Sequence, residues 1–288
     1  MKFANYDGRA VITDGRHAVY VADASNGKFD DDPAGVLAVW DEFLPWARTV
    51  ELDYGFTVFR SRLRAPSPQP RQVFAIGLNY ADHTAEAGLS LPSEPAVFTK
   101  FPTSVTGPDT VVDLPTATVD WEAELVAVIG RRAFRVAEDA AWEHVAGLTV
   151  GQDISERTRQ LIGPAAQFSV GKSFPGFSPT GPWLTTTDEF DDRDDIGIGC
   201  SVNGQTMQDG RTRDLIFSVP QLVAKLSDIL PLLPGDLIFT GTPAGVGGAR
   251  KPPIFLRDGD ILRTWVDGVG TITSICRAGV PYPTPRES

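Results

Sequence analysis

Asp120-Trp121-Glu122-Ala123-Glu124 opens the apolar run Leu125-Val126-Ala127-Val128-Ile129-Gly130. Side chains alternate faces along a strand, so a strand here sets Glu122 and Glu124 on one face with Asp120 beside them. An apolar continuation of this kind signals a buried strand, where unpaired carboxylates are costly. A divalent cation would compensate them, because hard ions such as Mg2+, Mn2+ or Ca2+ prefer carboxylate oxygens. A solvated strand end carrying surface acids accounts for the same pattern, and the pair alone does not separate the two.

Composition narrows the choice. The chain has 288 residues, a net charge of −11, and 28 Gly and 23 Pro, which favour a turn-rich, β-rich fold large enough for a full core. A basic nucleic-acid footprint is absent. Neither a signal-type apolar segment nor a membrane-length one occurs, so a cytoplasmic protein is expected. Cys200 and Cys276 are far apart and read as buried free thiols. With only three His, a metal site would rest on oxygen ligands.

Outward toward the N-terminus, residues 2–6, 10–13 and 17–22 read as short strands between Asp/Gly turns. A helix is expected next, with acids at 30–32, Pro33 in its first turn, and Val36, Trp40, Phe43, Leu44 and Ala47 at helical spacing. The proline-rich stretch 64–71 is the clearest boundary. The expected organisation is a small N-terminal α+β unit over 1–68, a larger domain over 69–277 and a tail over 278–288.

After a strand at 73–76, Gly77-Leu78-Asn79-Tyr80 leads into Ala81-Asp82-His83-Thr84-Ala85-Glu86. One helical turn brings His83 and Glu86 together, an acid-base pair on a loop that could act as a lid, or a plain surface pair. A helix over 136–145 with Gly147 as its C-cap is expected next. Asp153 follows a short strand at 148–150 and is either a turn residue or a third oxygen ligand. Arg157 and Gln160 share a helical side, Arg157 being a surface charge or an anion partner. Lys172 is the one cation in a Gly/Pro-rich loop over 167–183. A hairpin at Asn203-Gly204 and a capped helix over 218–230 follow. The glycine-rich Thr240–Gly248 stretch lacks a nucleotide P-loop ending, and its backbone N–H groups suit a carboxylate.

Taken in order, Gly77-Leu78-Asn79-Tyr80-Ala81-Asp82-His83, Asp120-Trp121-Glu122-Ala123-Glu124, Gly151-Gln152-Asp153, Gly171-Lys172-Ser173-Phe174, Gly181-Pro182, Val202-Asn203-Gly204 and Pro234-Gly235-Asp236-Leu237-Ile238-Phe239-Thr240-Gly241-Thr242-Pro243 resemble the fumarylacetoacetate hydrolase family. The likeness runs from about Val73 to Ile275. Lys251-Pro252-Pro253-Ile254-Phe255-Leu256 is similar to a loop of the domain-containing branch.

The resemblance implies a mixed β-rich (α+β) fold, a β-roll catalytic domain, and a homodimer. It implies one Mg2+ or Mn2+ per chain on Glu122, Glu124 and Asp153. It also implies a His83/Glu86 acid-base pair, a substrate-side Lys172, and Arg157, Gln160 and Thr242 as substrate-binding residues. The implied activity is hydrolysis of a carbon-carbon bond in an acylpyruvate or 2,4-diketo acid, releasing pyruvate or a related 2-oxo acid. The alternatives are an oxaloacetate-type decarboxylase, an isomerase of the 2-hydroxyhepta-2,4-diene-1,7-dioate type, and a non-enzymatic protein whose acids hold a structural cation. The chain departs from the family at Ser155-Glu156-Arg157-Thr158, where relatives commonly read Ser/Thr-Ala-Arg-Asp, which bears on pocket or surface contacts.

Overall fold

The computed structural model describes residues 1–82 and 90–278. The strand Ala123–Ile129 is buried along its whole length. Leu125, Ala127 and Ile129 face one apolar cluster, and Val126 and Val128 face another. Burial on both faces explains a continuous apolar run in place of an alternating one. This strand lies between Val145–Gln152 and Leu237–Phe239 in the main sheet.

That sheet runs on through Ser178–Thr185 to Lys2–Tyr6, Arg9–Thr13 and His17–Tyr20 at one end, and through Val73–Gly77 to Ala96–Thr99 at the other. A five-stranded sheet, ordered Gln205–Arg211, Gly197–Val202, Ile261–Val266, Gly270–Ala278 and Asp109–Leu114, contributes Ile198, Cys200, Leu262, Val266, Ile272 and Cys276 to the larger cluster. The fold is the mixed, strand-rich α+β class expected. Phe3, Trp40 and Phe43 from the N-terminal unit share the second cluster with Val126 and Phe239. Sheet and core are therefore both continuous across the expected border at 64–71.

Several local expectations need correction. The N-terminal helix is two, Pro33–Ala38 and Trp40–Ala47, because Val39 leaves the helical region between them. Residues 136–145 do not form an α-helix. Glu138–His144 is a 3-10 segment, and Gly147 lies inside the strand Val145–Gln152. A strand, Ser178–Thr185, occupies part of what reads as a loop, since prolines argue against a central strand. Its pairing with Val145–Gln152 shifts register between Leu148 and Val150, where the ladder tolerates Pro182. The Asn203-Gly204 hairpin is as expected, both residues having positive φ (52° and 83°) that suits a primed turn. The helix Val219–Ile229 begins with a Ser218/Gln221 capping box. Cys200 and Cys276 are buried and unpaired, and burial pushes the Cys276 thiol up to about 12. No helix among the described residues is long and apolar enough to cross a membrane.

Gly147 is required by close approach. A Cβ there would lie 2.3 Å from the Thr185 carbonyl oxygen, a backbone atom that cannot move aside alone. Gly147→Ala is expected to lower unfolding free energy by about 1–3 kcal/mol, read from urea denaturation; an unchanged midpoint would contradict the close packing.

Candidate functional site

The acidic run is two strands. Val119–Asp120 pairs with Ser155–Glu156, whereas Ala123–Ile129 pairs with Val145–Gln152. Trp121 and Glu122 lie at the break, where side-chain amides replace strand partners. The Glu122 N–H donates to Gln152 Oε1 (2.9 Å) and the Ala123 N–H to Gln208 Oε1 (2.8 Å). Across the pairing, the Asp153 N–H donates to the Glu122 carbonyl at 2.9 Å. Register therefore sets Asp153 opposite Glu122, and the period-2 rule brings Glu124 beside them. One carboxylate oxygen from each of Glu122, Glu124 and Asp153 lies within 4.8 Å of the others, and all three residues are buried. Three oxygen donors at this spacing could hold one divalent cation.

Cations crowd the same acids. Lys172 Nζ donates to Glu122 Oε2 and Asp153 Oδ2, each at 2.7 Å. Arg157 donates from Nη2 to Glu122 Oε1 (2.7 Å) and from Nη1 to Gln160 Oε1 (3.0 Å), and its Nε lies 2.7 Å from Asp120 Oδ1 as an ion pair. A further cation, Lys100, is fully buried and donates to Asp153 Oδ1 and to the Lys172 carbonyl. Sequence reading missed Lys100, which sits in a turn-rich stretch just after the strand Ala96–Thr99. Its only signal is a lone lysine following an apolar strand. Asp120 accepts from the Gly248 N–H at 2.5 Å, so it clamps the glycine loop and Arg157 while standing outside the three-acid group.

Among the described residues, four buried carboxylates thus face three cations, one negative charge in excess if all are ionised. The excess falls on Glu124. Burial, then Asp153 and Glu122 nearby, hold its carboxyl well above the ordinary range, although the Gly241 N–H donates to it at 2.7 Å. Burial also raises Asp120 against the pull of Arg157. For Lys172, burial alone would lower the ammonium pKa, but Asp153 and Glu122 outweigh it and the result is a raise. Lys100 goes down, by burial first.

A cavity of about 130 Å3 opens onto the cluster, lined by the polar Glu122, Arg157, Gln160, Lys172 and Thr242 and by Ile76, Gly77, Leu78, Phe98 and Phe168. Six site residues named from sequence, Glu122, Glu124, Asp153, Arg157, Gln160 and Lys172, therefore converge. Thr242 lines the cavity too, but its hydroxyl donates to the Ala123 carbonyl (2.8 Å) and accepts from Gln208 Nε2 (2.7 Å), so it would have to turn to hold a carboxylate. His83 and Glu86 lie outside the described residues. Glu156 caps the helix Arg157–Gln160 by accepting from the Thr158 and Arg159 N–H groups and is not part of the cavity lining. Its departure from the family pattern is thus spent on a helix start.

Comparison with known proteins fits this geometry. The model of the fumarylacetoacetate (FAA) hydrolase C-terminal family matches residues 72–276. A mitochondrial oxaloacetate tautomerase, fahd2 of Xenopus laevis, is 42% identical over 214 residues, covering 74% of this chain and 67% of that one. The crystal structure of a protein provisionally assigned as HpcE from Mycobacterium smegmatis superposes with a TM-score of 0.92 at 51% identity, covering 97% of this chain and all of that one. Maleylpyruvate hydrolase from Sphingobium, solved with manganese and pyruvate, superposes at 0.79 with 26% identity, covering 97% and 100%.

The raised Glu124 carboxyl gives a pH prediction. Below its ordinary value, 4.5, folded and unfolded chains both hold the proton. As pH rises from there, the folded metal-free chain binds more protons than the unfolded one, so stability falls. A divalent cation takes the proton's place, so stabilisation by Mn2+ or Mg2+ over chelated protein should grow from about pH 5 to pH 8, reaching roughly 2.7 kcal/mol at a hundredfold excess over Kd. Melting temperatures measured with and without metal across that range test it; a metal increment independent of pH would contradict it.

Proposed function

This chain belongs to the fumarylacetoacetate hydrolase family, and from that premise we propose that it is a divalent-metal-dependent enzyme that hydrolyses a carbon-carbon bond in an acylpyruvate or related 2,4-diketo acid. The observation that carries this reading is the convergence of Glu122, Glu124 and Asp153 with Lys172 Nζ at 2.7 Å from two of them. The donor set suits Mg2+ or Mn2+: three buried carboxylates that offer oxygen alone. An ion held by Glu122, Glu124 and Asp153 would supply Lewis-acid charge to the oxygens of a 2-oxo acid.

The chain's own groups then divide the work. Lys172 and Arg157, fixed by the acids they pair with, place positive charge beside the cavity where negative charge builds on the 2-oxo fragment. Lys100 positions Asp153 and, through the Lys172 carbonyl, the turn that carries Lys172. Gln160 holds Arg157 in register. In this proposal His83, oriented by Glu86, takes a proton from water as that water attacks the distal carbonyl. The carbon-carbon bond breaks, its electron pair goes to the 2-oxo fragment, and that fragment leaves as an enolate that is then protonated at carbon.

A second reading draws on the 42% identity to a relative named oxaloacetate tautomerase: the same charges would assist movement of a proton between carbon and oxygen, keto to enol and back, with no carbon-carbon bond cut. Pyruvate appearing from an acylpyruvate in a coupled assay supports hydrolysis; loss of enol absorbance with all carbons retained supports tautomerisation. Rigorous chelation should abolish either, and full activity after chelation would sink the metal role. Glu122→Gln should weaken Mn2+ binding, measured by calorimetry, by at least tenfold more than Asp120→Asn, because it removes an anionic oxygen from the ion itself, whereas Asp120 is engaged by Arg157 and the Gly248 N–H. Equal losses would move Asp120 into the ligand set. A cytoplasmic homodimer completes the proposal, and an elution mass of one chain at micromolar concentration would contradict the dimer.

A further inference from the structure

The described lining of the cavity is of two kinds. Glu122, Arg157, Gln160, Lys172 and Thr242 present charge and hydrogen-bonding groups, and Ile76, Leu78, Phe98 and Phe168 present hydrocarbon and ring surface. Phe98 and Phe168 meet edge to face, ring centroids 5.7 Å apart at 90°. Their mounts are fixed. Phe98 lies on the strand Ala96–Thr99, paired with Ala75 of Val73–Gly77. Phe168 opens the helix Phe168–Gly171, and the Thr99 N–H donates to Ser169 Oγ at 3.3 Å, tying strand to helix. Lys172 Nζ sits 5.2 Å from the Phe98 ring centre, so charged and aromatic lining meet at that ring.

Both cations among the described lining residues are already engaged by acids. Lys172 is held by Glu122 and Asp153, and Arg157 by Asp120 and Glu122. A second carboxylate on the ligand would therefore lie against ring faces, giving up its water with no charge partner among these residues. The cavity, about 130 Å3, is also well below the roughly 300–1,000 Å3 of sites that take drug-sized ligands.

Resting on the 2-oxo acid reading above, we infer that Phe98 and Phe168 form a specificity wall selecting 2-oxo acids whose group beyond the oxo carbon is short and uncharged, against those ending in a second carboxylate. Between the two reactions considered above, this favours an acylpyruvate with a small alkyl acyl group over a dicarboxylic substrate.

The test uses the full-length, Mn2+-loaded protein and calorimetric titration with pyruvate, 2-oxopentanoate and 2-oxoglutarate, the last two matched in chain length and differing in the terminal carboxylate. The expected result is binding of pyruvate and 2-oxopentanoate, with 2-oxoglutarate weaker by at least about tenfold, the order of discrimination that a small apolar pocket supplies. Phe168→Arg, at a half-buried position on the wall, should narrow or reverse that ratio by offering the missing cation. Phe98→Leu, which keeps the wall apolar, should preserve it. Equal or tighter binding of 2-oxoglutarate by the unaltered protein overturns the wall while leaving the 2-oxo acid reading standing. Failure of all three ligands to bind overturns both. A Phe168→Arg variant that weakens both five-carbon acids equally also counts against the wall.

Discussion

Charge matching in a dry place is the constraint on which the site depends. Asp120, Glu122, Glu124 and Asp153 are buried together, and no such group persists without partners of opposite sign. Lys100, Arg157 and Lys172 supply them from three separate stretches of chain: the residue after an edge strand, a short helix after the strand Ser155–Glu156, and the turn after another short helix. The acids thereby pin segments that are far apart in sequence, and the fold around the cavity is held by the same interactions that shape its field. Such clusters are weak contributors to net stability and strong determinants of arrangement, because removing any one partner strands a buried charge.

The geometry that gathers these groups is a pairing register. Ala123–Ile129 and Val145–Gln152 align so that Asp153 falls opposite Glu122 at the mouth of the central pair. Below that mouth both faces of the strand are closed by apolar clusters, so the acids occupy the place where the sheet stops being a core and becomes a site. The break at Trp121 and Glu122 serves the same end. Gln152 and Gln208 satisfy the backbone there, which frees the Glu122 side chain from strict strand geometry while keeping its main chain bonded.

Much of this was legible before any coordinates. The alternating acids, the apolar run behind them and the Gly-Gln-Asp turn carry their meaning locally, through period-2 geometry and the cost of buried charge. The ordered motifs, read together, located the family. What stayed hidden was non-local. Nothing near Lys100 in sequence says that it will lie under Asp153, and nothing near Phe98 says that it will face Phe168, because both contacts are made by sheet topology. The strand Ser178–Thr185 was obscured by its prolines, which a bulged register accommodates. Asp120 shows the limit of face counting: it is near Glu122 and Glu124 in sequence, but a change of strand partner gives it to the glycine loop instead.

One short helix joins two of the site's tasks. Phe168 opens Phe168–Gly171, and Lys172 follows directly, so the ring that meets a ligand's tail and the ammonium that meets the acids ride on one rigid turn. That turn is pressed against its neighbour: a Cβ on Gly171 would lie 2.7 Å from the Gln160 backbone nitrogen, leaving it little room to slide. Mutational drift at Phe168 that tilts the turn is therefore transmitted to Lys172, and drift at Phe98 reaches Lys100 at the end of the same strand. A lineage exploring new acyl groups can vary either ring only by retuning the buried charges at the same time.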